Sequence, residues 1–302
     1  MSFLNPVNEP VLRFKSTDAG APQINYNARV AGDVKAVLKA CLVTGYGATA
    51  SAGWAVVNEV AHVAEFVSPS AAMSDYRLGI NDTSAASTTW YYQYQDARVN
   101  PVHNAPTKIF SYVDKASSKN GWQLLLTNNG LCFIEILHNP SISGEVGRVT
   151  WFGQMQLGLS TSNSRNISYW CAGYDCPALF AANVFSVSSN HHYDINNIKS
   201  GLDFSFVGEK NFTANVSSYD SSAEAIEVSS ALFIANTMRV IAKHPAVILS
   251  KPVTALNMFG VKEIALDGRV AIKVSTTLAD SSSDTLKQVV RYITVLADYW
   301  EH

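Results

Sequence analysis

Charge is what this sequence has least of. Asp, Glu, Lys and Arg make up 15% of its 302 residues, against roughly 25% in an average globular domain. Ser, Thr and Asn fill the polar positions instead. Lys plus Arg number 22 and Asp plus Glu 24, for a net charge of −2, and no block of like charge occurs. A basic footprint for nucleic acid is therefore missing. No run approaches the 18 apolar residues of a membrane span. The opening Met1-Ser2-Phe3-Leu4-Asn5-Pro6 lacks the charged and apolar regions of a signal peptide, which predicts synthesis in the cytoplasm.

Cysteine is scarce too, at four residues. Cys41 falls on the apolar face of a helical pattern and Cys132 inside an apolar strand pattern, so both read as small buried hydrophobes. Cys171 and Cys176, with His191 and His192 downstream, meet zinc-ligand spacing only at its loose edge. Adjacent histidines on a strand face opposite sides. The spacing predicts two neighbouring free thiols, or a disulfide between them after release into an oxidising medium, with no metal and no cofactor.

Catalytic spacings are missing as well. A glycan hydrolase needs two carboxylates flanking a sugar, and Glu135, Glu145, Asp203, Glu209, Glu224 and Glu227 are scattered without a signature. Asp18, before Gly20 and Pro22, reads as a turn residue bonding its own backbone. Gly45-Tyr46-Gly47 lacks the spacing of a phosphate loop and follows a helix instead of preceding one. His103, His138 and His244 stand beside Asn or Pro and read as loop residues. These absences predict that the chain is not an enzyme.

What is present is mostly strand signal. Trp122 to Leu126 and Leu131 to Leu137 flank Asn128-Asn129-Gly130, a strong hairpin signature. Val149, Trp151, Leu157 and Leu159 fall on odd positions, with polar residues between, which predicts a strand with one buried face. Leu202, Phe204 and Phe206 repeat that period. Ile264 to Val274 around Asp267-Gly268 is a second hairpin. At the C-terminus Leu286, Val289, Val290, Ile293, Leu296, Ala297 and Trp300 match a helical stripe, but Gln288 to Thr294 is rich in β-branched residues, which favours a strand. Helix is expected at 31–43, where Val34, Val37, Leu38, Cys41 and Leu42 line one face, Asp33 suits the N-terminus, and Lys35 and Lys39 lie on the polar side. Gly45 follows as its stop, and Gly47 and Gly53 lead Trp54 into the core. A second helix is a candidate over 220–245, stopped by His244-Pro245.

The expected fold is mainly β (α+β), with antiparallel sheets in a sandwich-like arrangement and a short N-terminal helix packed on a sheet. Residues 1–15 read as an extended arm, because Pro6 and Pro10 disfavour helix and strand pairing. Residues 16–160 read as a β-rich domain carrying the helix, and 161–302 as a second β-rich region.

Several of these residues also carry a resemblance. Ser16-Thr17-Asp18-x-Gly20-Ala21-Pro22, then Cys41-Leu42-Val43-x-Gly45-Tyr46-Gly47, then Ala52-Gly53-Trp54 resembles the opening of a family of tailed-bacteriophage virion structural proteins. Asn81-Asp82-Thr83, Trp122-x-Leu124, Phe152-Gly153 and the terminal Trp300 are similar in order; residues 165–260 carry no matching motif. The resemblance implies a virion component of the capsid, neck or tail assembly, made in the bacterial host cytoplasm. Its partners would be copies of itself, as a homo-oligomer, and other virion proteins. It transfers no catalytic residue. The residues expected at contacts are Phe3, Leu4, Pro6 and Pro10 of the arm, and the aromatic groups Trp90, Tyr91, Tyr92, Tyr94, Tyr169 and Trp170. Aromatics among Asn and Ser also suit a carbohydrate-binding surface, so a tail-fibre or spike module binding a cell-surface glycan is the alternative.

Overall fold

The computed structural model describes residues 7–24, 30–74, 76–82, 89–96, 105–112, 121–139, 144–154, 156–157, 167–173, 205–206, 227–234, 240–251, 260–266, 268–277 and 290–302. In parts of these strands the backbone alone is described. The chain opens with β1 (Asn8–Pro10) and β2 (Leu12–Lys15), followed by helix α1 (Asp33–Lys39), which widens into a π-helical turn, Ala40–Thr44. Then come β3 (Ala55–Val60), β4 (Val63–Val67), β5 (Tyr76–Asn81), β6 (Thr89–Asp96) and β7 (Ala105–Tyr112). Next are β8 (Gly121–Thr127), β9 (Gly130–Asn139), β10 (Gly144–Gln154), β11 (Gln156–Leu157), β12 (Ile167–Gly173) and β13 (Ser205–Phe206). The remainder is β14 (Glu227–Ile234), β15 (Val240–Lys251), β16 (Val261–Leu266), β17 (Arg269–Thr277), β18 (Val290–Leu296) and β19 (Tyr299–Glu301).

These strands form four antiparallel sheets among the described residues, so the fold is mainly β with one short helix, as the sequence predicts. The central sheet runs β12-β10-β9-β8-β2. A strand's side chains alternate between faces, and here both faces are covered. Trp122, Leu124, Leu126, Leu131, Phe133 and Phe152 point into one core, shared with α1 and with Ala64, Phe66, Leu78 and Ile80 of the β3–β7 sheet. Leu125, Cys132, Ile134, Val149 and Trp151 point into a second core, shared with Ala271, Ile272, Val274, Ile293 and Val295 of the large C-terminal sheet and with Trp300 of β19. The one-sided burial expected for residues 149–159 is thus corrected at β10. Even positions Arg148, Thr150 and Phe152 are buried as well, because β10 is an inner strand of a middle layer.

The two expected hairpins are present, β8–β9 and β16–β17, and the C-terminal segment is strand. At the tip of β8–β9, Gly130 lies opposite Gly153, and a Cβ on Gly153 would come within 2.6 Å of the Gly130 Cα. Only glycines admit that approach. The helix expected over 220–245 is corrected to strands β14 and β15, at least over the described residues. His244 does not end an element there. Its ring is buried, and its Nδ1 accepts the backbone N–H groups of Ala246 (3.1 Å) and Val247 (3.0 Å), so the strand continues past Pro245. The loop reading of His138 is corrected likewise, since its backbone lies in β9.

The described part of the arm, from Val7 onward, is extended as expected, yet it belongs to the body. β1 pairs with β19, and β2 pairs with β8 as an edge of the central sheet. Pro10 is tolerated because β1 is the short outer strand of a two-stranded pairing, where a missing N–H need not interrupt a ladder. The boundary expected at 160/161 falls within one sheet, since β12 pairs along β10 from Arg148↔Gly173 to Gln154↔Ile167. The Leu202–Phe206 expectation meets the short β13; its other residues lie outside the described ones.

Candidate interaction surface

Ser16 to Pro22, Tyr46, Gly47 and Trp122, among the residues that carry the resemblance, meet in one place. Asp18 Oδ2 accepts the Lys15 backbone N–H (2.8 Å) and the Tyr46 hydroxyl (2.8 Å). The turn expected at Asp18 is therefore present and also fixes Tyr46. Burial first, then the bond to Asp18, pushes the Tyr46 phenol well above its ordinary pKa. Gly20 lies against Gly47, where a Cβ on Gly20 would fall 3.2 Å from the Gly47 Cα, and a Cβ on Gly47 would run into the Ala19 carbonyl. Tyr46 meets the edge of Trp122 at 6.5 Å between ring centroids. Trp122 in turn donates its indole N–H to the Pro22 carbonyl (3.0 Å), and its backbone N–H goes to Ser16 Oγ (3.1 Å).

This interlock also sets where β3 begins. The π-helical turn leaves carbonyls that a regular helix would use, and the Ala52 and Trp54 amides take them, at Cys41 (2.9 Å) and Leu42 (2.9 Å). Trp54 is buried, as expected, and the chain leaves it directly as β3. Cys41 and Cys132 are buried, as expected, and burial drives the Cys41 thiol well above its ordinary range.

The start of α1 is held from a distance. Asp33 accepts only the Val30 N–H (3.1 Å), whereas Asp82, just beyond β5, accepts the helical N–H groups of Val34 (2.8 Å) and Lys35 (3.3 Å). Asp82 is the resemblance residue whose role the sequence left open. Lys35 is not on a polar face. It is buried, and its ammonium donates to the carbonyls of Val60 (2.6 Å) and Ala61 (3.0 Å) and pairs with Glu59 at 2.8 Å. Lys39 pairs with Glu59 as well, at 2.8 Å. Bonds from these two lysines hold the Glu59 carboxyl below its ordinary pKa.

The outcome is an exposed apolar edge. β3 is an end strand of its sheet, and Val57 and Val60 are 44% and 66% exposed. Val30, 61% exposed, lies two residues before Gly32, and Gly32 abuts the ring of His62 in the β3–β4 turn. Beside the valines, Glu65 is paired with Arg77 (3.0 Å) and accepts from Asn58, so the ionic groups of this face are matched among themselves. A bulge between Val56 and Asn58 breaks the register of β3. Bulges and edge charges hinder indiscriminate strand pairing, which leaves the side chains as the contact surface.

Of the expected contact residues, Phe3, Leu4 and Pro6 lie outside the described residues. Pro10 is exposed and sits opposite Tyr299. The backbones of Trp90, Tyr91, Tyr92 and Tyr94 lie in β6, an inner strand of its sheet, with Tyr92 in register with Ile80 and Tyr94 with Leu78. Tyr169 and Trp170 lie in β12, in register with Phe152 and Trp151. The side chains of these six aromatics lie outside the described parts. Cys171 has its backbone in β12, while Cys176, His191 and His192 are outside. Among the described residues no group of three or more His, Cys, Asp or Glu could hold a metal ion, and no helix is long and apolar enough to cross a membrane. Sequence reasoning did not find the β3 edge. A β-branched run predicts a strand but not which strand ends a sheet.

The chain matches no family model, no curated protein and no solved structure.

Proposed function

We propose that the chain is a non-enzymatic structural component of a tailed-bacteriophage virion, in the capsid, neck or tail assembly. It acts through contacts with copies of itself and with other virion proteins. The observation that carries this reading is the β3 edge, where Val57 and Val60 are exposed beside internally matched charges. A contact there gains apolar burial at about 25 cal/mol per Å² and desolvates few unpaired ions. The resemblance supplies the assembly. The same residues that carry it, Cys41 to Gly47 and Ala52 to Trp54, hold the start of β3 in place. Low charge overall suits contacts that persist as salt changes, since exposed ion pairs are screened.

The test is location. Antibody labelling of particles of the phage that encodes this chain should place it at one repeated station on the head, neck or tail. Its absence from purified particles would refute the reading. Labelling confined to fibre tips, with binding to host polysaccharide, would favour the glycan-binding alternative.

A further inference from the structure

We propose that the buried imidazoles of His244 and His302, at the two ends of the Trp151–Trp300 pair, form an acid-released clasp that holds β1 onto β19. This clasp is independent of the virion reading. The four rings follow one another: His244 to Trp151 at 4.4 Å between centroids, Trp151 to Trp300 at 5.2 Å, Trp300 to His302 at 6.3 Å. The column ends at the pairing of β1 with β19, where Val7 and His302 exchange backbone bonds of 2.9 and 3.0 Å and the Val11 N–H reaches the Asp298 carbonyl.

Both imidazoles are placed where a proton does harm. His244 Nδ1 accepts two backbone N–H groups, so a proton on that nitrogen would set N–H against N–H and break both bonds. His302 is 1% exposed at its side chain. Its Nε2 lies 3.2 Å from Thr127 Oγ1, and that oxygen also accepts the Asn129 N–H. Its Nδ1 is buried with no hydrogen-bond partner among the described residues, so an imidazolium would hold a charged N–H there without an acceptor.

The charged groups around the column do not remove this penalty. On β1, Glu9 Oε2 is 3.9 Å from His302 Nε2, while its other oxygen accepts the Asn129 amide. Glu9 would favour a charged His302, but beyond hydrogen-bond range. On β17 and β19, Arg269 is bidentate to Asp298 and reaches Glu301 at 3.9 Å. On β10, Arg148 pairs with Glu135 in the opposite core. Lys273 on β17 is in register with Thr294, between the core residues Ile272 and Val274. On the His244 side, the influence added to burial is His302, of like sign when charged.

Burial holds His302 at about 4 and His244 well below its ordinary value of 6.5. Both groups are therefore neutral in the fold and take up protons once exposed. Their contribution to the closed form is complete above pH 6.5 and is lost as pH falls toward 4. At pH 5, titration of His302 alone favours the open form by about twenty-fold relative to neutral pH. Opening would free the chain before β2 from its own body.

Hydrogen exchange on the full chain at pH 7 and pH 5, corrected for intrinsic rates, tests the clasp. The Val7, Val11 and His302 amides should lose at least about twenty-fold protection at pH 5, while Leu124 to Ile134 keep theirs. His302→Gln, which cannot charge, should sharply reduce the loss and leave only the share of His244. The proposal is overturned if the ends stay protected in the parent, if His302→Gln loses protection equally, or if the central sheet opens in step. Should that variant not fold, NMR titration of the parent's His302 ring decides: a value near 4 supports the clasp, and a value near 6.5 overturns it.

Discussion

At the residue scale, the interlock of Asp18, Gly20, Tyr46, Gly47 and Trp122 explains why the first 54 residues are so distinctive. Each residue type answers a local demand. Tyr46 supplies a ring for Trp122 and a hydroxyl for Asp18. Gly47 supplies a backbone at φ 54° with no Cβ to strike Ala19. We predict that Tyr46→Phe lowers stability by about 1 kcal/mol, the usual worth of one hydrogen bond. Gly47→Ala should cost clearly more, because strain and collision add to each other. Chemical denaturation of both variants checks the order, and an Ala variant as stable as the Phe variant would mean the two turns are not in contact. Inside the middle layer, Glu135 and Arg148 pair at 3.2 Å with both side chains 1% exposed. Glu135→Ala should therefore destabilise clearly, because it takes a partner from the buried Arg148 guanidinium, as read from the same denaturation curves.

At the element scale, what the sequence made legible follows from what is local. Period-2 alternation and the Asn-Gly and Asp-Gly turns located β8–β9 and β16–β17, since each hairpin is written in one continuous stretch of sequence. The face of α1 was legible for the same reason, with Val34, Val37, Leu38, Cys41 and Leu42 all buried. The misreadings are all non-local. Lys35 looked solvent-facing because its acceptors, Val60 and Ala61, lie in another hairpin. Residues 220–245 showed near-helical spacing, yet pairing of β14 with β15, and of β15 with β18, overrides it. The true cap of α1 is 48 residues away from Val34. Asp82→Ala should then lower stability by about 1–2 kcal/mol and reduce helical signal, while Asp33→Ala should do so less. Equal effects would contradict the long-range cap. The described part of the arm gives a further test. Deleting residues 2–12 removes β1 and should lower the melting temperature by several degrees. A normal melt for the deletion would mean that the β1–β19 pairing contributes nothing.

At the scale of the whole molecule, a central sheet covered on both faces leaves the exposed apolar surface at sheet ends. β3 is the described example, with its valines outside and its charges matched. The sequence foretold low charge and contact by apolar groups. It placed those groups in the arm and on aromatic strands, because which strand lies at an edge depends on the order of a whole sheet. We propose that this surface binds the chain into a particle, and one ratio tests that binding. Val57→Lys and Val60→Lys together should fold normally, since both side chains are already exposed. In particles purified after a high-salt wash, the amount of this protein relative to the major capsid protein should fall sharply for the double variant and hold for the parent. An unchanged ratio would contradict the account.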